Sequence, residues 1–230
     1  MGGQACILYG GAEFSRDIDF AILSSDENLV QLGRCLEDLK AEVIAVPPFS
    51  KQFLERGHAI HFRCAVPEAF GLRIDVMTKM RELDDFHVLW ERRTTIRMFD
   101  EYECHLLSLP DLVKAKKTQR DKDWPMIRRL LESHYFSNRD QANPDQIEFW
   151  LKEMRTPELL TEIVGIYPEI AQQIGSERPL LAHAISSDLD ALDRALLEEE
   201  RIERETDRAY WQPLRSELES LRHERFRKTE

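Results

Sequence analysis

Long apolar runs are missing from this chain. Nothing in its 230 residues approaches the about 18 consecutive apolar positions that a membrane-spanning helix requires. The N-terminus also lacks the charged, apolar and small-residue succession of an export signal. Both absences point to a soluble, cytoplasmic protein. Cysteine is scarce: Cys6, Cys35, Cys64 and Cys104 lie far apart with no Cys-x-x-Cys pair, the pattern of small buried hydrophobes in a reducing compartment. The seven histidines, at 58, 61, 87, 105, 134, 183 and 223, form no zinc-binding spacing and read as core or surface residues. Positive charge is not in surplus either. A net charge of −11 lacks the Lys and Arg excess with which a protein grips long duplex nucleic acid, although it leaves room for a local basic pocket. The acidity is concentrated late, because residues 141–230 carry 12 Lys and Arg against 20 Asp and Glu. Internal repeats and low-complexity tracts are absent.

What is present is enough apolar residue, 42%, to build a real core. "DFAIL" at 19–23 has strand length, and residues 27–39 place Leu29, Leu32, Cys35, Leu36 and Leu39 at helical spacing. "AEVIAV" predicts a second strand ended by Pro47 and Pro48. "AIHFRCAV" and "GLRIDVM" predict two more, joined as a hairpin through "PEAFG". A helix is expected near 82–91, followed by strands over "TTIRMF" and "CHLLSL". After Pro110 the pattern is helical to the end, with a polar linker at 137–145, a long charged helix through 188–205 and a last helix carrying Leu214, Leu218 and Leu221. The expected fold is α/β: a mixed β-sheet with flanking helices over residues 1–140, then an all-helical C-terminal domain over 141–230.

One feature of the first strand is chemically conspicuous. Asp17 and Asp19 are two residues apart, so they project from the same side of a strand while Ile18 and Phe20 turn to the core. Parallel carboxylates repel unless something positive neutralises them. Hard cations such as Mg²⁺ or Mn²⁺, which take oxygen ligands, suit that role. Asp75, inside "GLRIDVMT", is a third strand carboxylate that can complete such a site or accept a proton from an attacking hydroxyl. Upstream, Gly2 and Gly3 could let backbone approach a phosphate. Downstream, a helix expected from Asp111 through about residue 131 places Lys116 and Arg120 on the apolar stripe with Val113, Asp123, Ile127 and Leu131, where a triphosphate would supply their counter-charge. Pro125 lies inside that pattern and can divide it into two helices.

In this order the features resemble the DNA polymerase β-like nucleotidyltransferase superfamily. Gly2-Gly3, thirteen intervening residues, Asp17-Ile18-Asp19 and a later strand carboxylate, Asp75, match its pattern over about the first 80 residues. "DLVKAKKTQRDKD" extends the resemblance to the bacterial abortive-infection-type members through Lys116, Arg120, Lys122 and Asp123; Lys117 competes with Lys116 for the family lysine, and the stripe favours Lys116.

The resemblance implies a metal-dependent nucleotidyltransferase that moves a nucleoside monophosphate from a nucleoside triphosphate, such as ATP, to a hydroxyl acceptor. Asp17, Asp19 and Asp75 would be its catalytic and metal-binding carboxylates, with Mg²⁺ or Mn²⁺ as cofactor. Gly2, Gly3, Ser15, Lys116 and Arg120 would be nucleotide-binding. The acceptor would be a small molecule, a protein or an RNA end, with no membrane and no long duplex nucleic acid as partner. Metal-dependent phosphoester hydrolysis is a less favoured use of the same carboxylates. The family's glycine pair follows a core strand, whereas only Met1 stands before Gly2 here. Residues 1–9 are therefore expected to be poorly anchored and the protein weakly active or inactive, and a catalytically inactive binding or regulatory module of the same fold is the alternative expectation.

Overall fold

The computed structural model describes residues 1–98 and 102–227. The chain is mixed α/β. In order, it forms α1 (Gly2–Leu8), β1 (Asp17–Ala21), α2 (Asp26–Asp38), β2 (Glu42–Val43), α3 (Lys51–Arg56), β3 (Ile60–Arg63), β4 (Arg73–Met77), α4 (Phe86–Glu91), β5 (Thr94–Met98) and β6 (Tyr102–Leu106). Helices follow: α5 (Leu109–Lys116), α6 (Asp123–Asn138), α7 (Pro144–Glu153), α8 (Pro157–Ile166), α9 (Pro168–Ile174), α10 (Leu181–Ile185) and α11 (Leu189–Arg227).

Two compact units result. One comprises residues 1–8, 13–115 and 208–230, the other residues 9–12 and 116–207. This division departs from a boundary at 140. The polar segment expected to be a linker instead joins two helices of the second unit: Asn143 caps α7 by accepting from the Gln146 amide, Gln146 returns the bond to the Asn143 amide, and Pro144 takes the first turn, where no amide proton is needed.

In the first unit β1, β4, β3 and β2 form one sheet in that spatial order, with β1 parallel to β4 and the other pairs antiparallel. β5 and β6 pair as a separate two-stranded ribbon. The sheet sorts its residues by alternation. Ile18, Ile74, Phe62 and Val43 are register partners on one face, as are Phe20, Val76 and Ile60. Ile60, Phe62, Ile74 and Val76 are buried in a core with Leu36 of α2 and Leu54 of α3. Serine caps the entrance of α2, where the Ser25 hydroxyl accepts from the Asn28 amide. Phe20 is an exception to the expected burial: it is 46% exposed, on β1, the edge strand of the sheet.

Residues 1–9 are not loose. α1 buries Ala5 and Cys6 completely, and the Met1 nitrogen donates to the Asp19 carbonyl at 2.9 Å. The end of α11 belongs to this unit too, where Glu217 pairs with Arg56 and lies 2.8 Å from Nε2 of the buried His58.

The second unit is helical, its core made of residues such as Ile127, Leu130, Leu131, Tyr135, Trp150, Leu160 and Ile163. Two helical expectations change here. The segments around 188–205 and 214–221 are one helix, α11, with Pro213 inside it. The stretch from Asp111 is two helices, α5 and α6, parted at residues 117–122. Proline explains this second break. Pro125 has no amide proton and its ring crowds the carbonyl four residues earlier, so it fits the first turn of a new helix and not the interior of a continuous one. Arg120 consequently lies between helices.

Candidate functional site

The polar face of the four-stranded sheet gathers the carboxylates. Across β1 and β4, Asp19 registers with Asp75 and Asp17 with Arg73; on β3, His61 registers with Asp75 and Arg63 with Arg73; Glu42 of β2 registers with Arg63. Two rows of side chains therefore share this face: Asp17, Arg73, Arg63 and Glu42 in one, and Asp19, Asp75 and His61 in the next. The pairing of Asp19 with Asp75 places like charges on adjacent strands, an arrangement that disfavours the sheet unless cations answer it.

The answering charges come from the same face. Arg73 donates from Nε to Oδ1 of Asp75 at 2.8 Å and from Nη2 to Oδ2 at 2.9 Å, a two-pronged match of guanidinium to carboxylate. Nδ1 of His61 lies 2.8 Å from Asp75 Oδ1 and 3.1 Å from Arg73 Nη2, so its tautomer decides whether it donates to the carboxylate or accepts from the guanidinium. Burial alone would push the Asp75 carboxyl up; hydrogen bonds from His61 and Arg73 outweigh it and hold Asp75 below the usual carboxylate range. The Asp75 hydrogen bond and the charges of Asp75, Asp17 and Asp19 in turn raise Arg73, against the opposing effect of its partial burial.

Two glycines bring backbone to the same place. Gly2 has φ +68°, in the left-handed region, and a Cβ there would collide with the Asp19 carboxylate; a Cβ on Gly3 would collide with the Ser15 side chain. The Ser15 hydroxyl donates to the Asp17 carbonyl at 3.0 Å, which commits its proton to the turn leading into β1. Gly2→Ala is therefore expected to push α1 off β1 and to cost about 1–3 kcal/mol, the range for forcing added atoms into a filled space. A urea melt comparing the two proteins checks this, and an unchanged midpoint would refute the close approach.

No family model and no curated protein matches the chain. The site therefore rests on its own geometry. That geometry brings together Gly2, Gly3, Ser15, Asp17, Asp19 and Asp75, all within the first unit.

Lys116 and Arg120 belong to the second unit, where both serve Asp123. This carboxylate is completely buried and accepts from Lys116 Nζ at 3.3 Å, Arg120 Nε at 2.7 Å and Thr118 Oγ1 at 2.5 Å. Burial would raise Asp123, but the Lys116 charge, the Thr118 hydrogen bond and the charge and hydrogen bond of Arg120 hold it low. Lys117 is occupied in the same unit, with Glu153 at 2.7 Å and Glu203 at 3.6 Å.

The fit of a divalent cation divides between chemistry and arrangement. Three carboxylates on one polar face are the hard oxygen donors that Mg²⁺ or Mn²⁺ prefers. Their present arrangement does not ligate one: Asp75 is held by Arg73 and His61, and among the described residues no three His, Cys, Asp or Glu side chains converge as a metal-binding group. Arg73 and Arg63 join this face without a sequence motif to mark them, and His61, which reads from the sequence as a core or surface residue, joins them there. The available signal was alternation, since Arg73 precedes Asp75 by two positions and His61 and Arg63 are likewise two apart on one strand.

Proposed function

We propose that the chain is a metal-dependent nucleotidyltransferase, moving a nucleoside monophosphate from a nucleoside triphosphate such as ATP to a hydroxyl acceptor. The observation that supports this most is the parallel register of Asp19 with Asp75, with Asp17 on the same face and Gly2 against the Asp19 carboxylate. In this reading Asp17, Asp19 and Asp75 hold Mg²⁺ or Mn²⁺. The ion supplies positive charge to phosphate oxygens. Gly2 and Gly3, lacking side chains, let the backbone lie against Asp19 and Ser15, beside the carboxylates where a phosphate would sit. Asp75, once released by Arg73, would accept the proton of the acceptor hydroxyl, whose oxygen bonds to the α-phosphorus as the bond to the leaving pyrophosphate breaks. The net charge of −11 favours a small molecule, a protein hydroxyl or an RNA end as acceptor over long duplex.

The hold of Arg73 and His61 on Asp75 favours a second reading, a binding or regulatory module of the same kind that performs no transfer. One experiment separates the two. The protein is incubated with each α-labelled triphosphate, Mg²⁺ or Mn²⁺, and cell extract. Label moved to a product supports transfer and identifies nucleotide and acceptor together. Saturable triphosphate binding without any labelled product supports the module, and neither result would end both readings.

A further inference from the structure

We infer that the last turns of α11, from Leu214 onward, form a strap that opens from the C-terminal end of α3 independently of the sheet, with Glu217 as its latch and His58 as the side chain it covers. The inference uses residues of the first unit alone and does not depend on the role proposed for Asp17, Asp19 and Asp75.

The hold is narrow. Glu217 is shared: one carboxylate oxygen pairs with Arg56, and the other lies 2.8 Å from Nε2 of His58. Both partners rest on the Phe53 ring, the Arg56 guanidinium 4.8 Å over its centre and the His58 ring edge-on at 5.8 Å, so they are fixed side by side before one carboxylate. Three residues earlier on the helix, Leu214 brings its Cδ1 to 3.6 Å from where a Cβ on Gly57 would stand. Gly57 ends α3 in the left-handed region, at φ +101°, and Lys79 borders the same spot. Burial is one-sided. His58 is 2% exposed and Leu54 is fully buried, whereas none of the described side chains from residue 208 onward is buried, and Leu214, Leu218 and Leu221 are only partly covered. A segment that adds so little buried apolar surface to its unit opens at a lower free energy than the core does. Pro213 marks where the strap begins. It has no amide proton for the Ala209 carbonyl four residues earlier, so the helical hydrogen bonds lack one member just before Leu214. Leu214 and Glu217 share a helix face and leave together, and the His58 imidazole then meets water.

The test reads the uncovering of His58 in the full chain, as its rate of modification by diethyl pyrocarbonate, resolved from the other histidines by mass spectrometry. His61, 25% exposed on β3, is the internal reference, and in the unaltered protein His58 should react more slowly than it does. Glu217→Gln keeps the shape and a neutral hydrogen bond, leaving no hole beside His58, but loses the charge that Arg56 answers. Leu214→Ala removes the apolar contact and leaves the latch. Each is expected to speed His58 modification about five- to tenfold, the factor for exchanging a charged hydrogen bond for a neutral one or for removing part of a leucine contact, with the His61 rate unchanged. Pro213→Ala restores the amide proton and is expected to slow His58 modification. An unchanged His58 rate in both Glu217→Gln and Leu214→Ala overturns the latch. His58 and His61 speeding up together overturns the independent strap, because the whole unit would then be loosening. A His58 that reacts as fast as His61 in the unaltered protein overturns the cover itself, and no slowing in Pro213→Ala overturns the hinge at that residue.

Discussion

Replacing Asp17 and Asp19 together by Asn is expected to reduce the proposed nucleotide transfer by about a hundredfold or more, the scale on which removing one preorganised charge-stabilising group acts, while leaving the fold intact. Both side chains sit on the partly exposed polar face of β1, and neither contributes to the apolar core behind the sheet. Their loss also relieves the repulsion between carboxylates that alternate on one side of a strand and face Asp75 on the next. The melting temperature of the double variant should therefore equal or slightly exceed that of the unaltered protein. The comparison is made by label transfer at saturating Mg²⁺ and by thermal unfolding of the same preparations. Equal transfer by both proteins would remove the catalytic role proposed for the β1 carboxylates, whatever the rest of the site does.

The largest effect on stability is expected at Asp123. Asp123→Ala leaves Lys116, whose side chain is 9% exposed, without its carboxylate, and it strips a partner from Thr118 and Arg120 as well. Removing one member of a buried ion pair costs about 3–5 kcal/mol, because the remaining charge stays buried and uncompensated. The loss should appear in the second unit, where Trp124 and Trp150 are buried and report its unfolding by fluorescence.

Acid should produce the same loss reversibly. Asp123 is held below the carboxyl's ordinary value in the folded chain, so its contribution is complete above about pH 4 and disappears as pH falls through the lower folded value. Urea melts of the unaltered protein should show this decline below about pH 4, and Asp123→Ala should show a shallower one. Parallel declines in both proteins would mean that Asp123 is not the group responsible.

Much of the candidate site was legible because β-strands alternate. The spacing Asp17-x-Asp19 places two carboxylates on one side whatever the strand pairs with, and Asp75 among apolar neighbours signals a third strand carboxylate. The hairpin of β3 and β4 was legible for the same reason, from two alternating runs around a short Pro- and Gly-containing connection. Helical periodicity was less reliable. It joined α5 to α6 on one stripe and so kept Lys116 and Arg120 in phase, although residues 117–122 interrupt the helix and the two cations meet at Asp123. A stripe drawn at 3.6 residues per turn holds only while the backbone hydrogen bonds run unbroken, and a proline in the first turn of the next helix marks where they stop.

Local sequence specifies which residues can carry charge chemistry and which face of each strand they occupy, because side-chain direction is set by the local backbone. It also determined the alternation of strands and helices in the first half of the chain and the helical character of the second. Tertiary structure alone decided register and partnership. That Asp19 stands beside Asp75 and that His61 reaches Asp75 and Arg73 depend on β1 pairing with β4 and β4 with β3, contacts between residues 12 to 56 positions apart. It likewise decided that residues 9–12 and 116–207 form one unit while the end of α11 returns to the other. Local pattern cannot encode these choices, since register follows from how the apolar faces of distant segments fit together and from which charges that fit brings within reach.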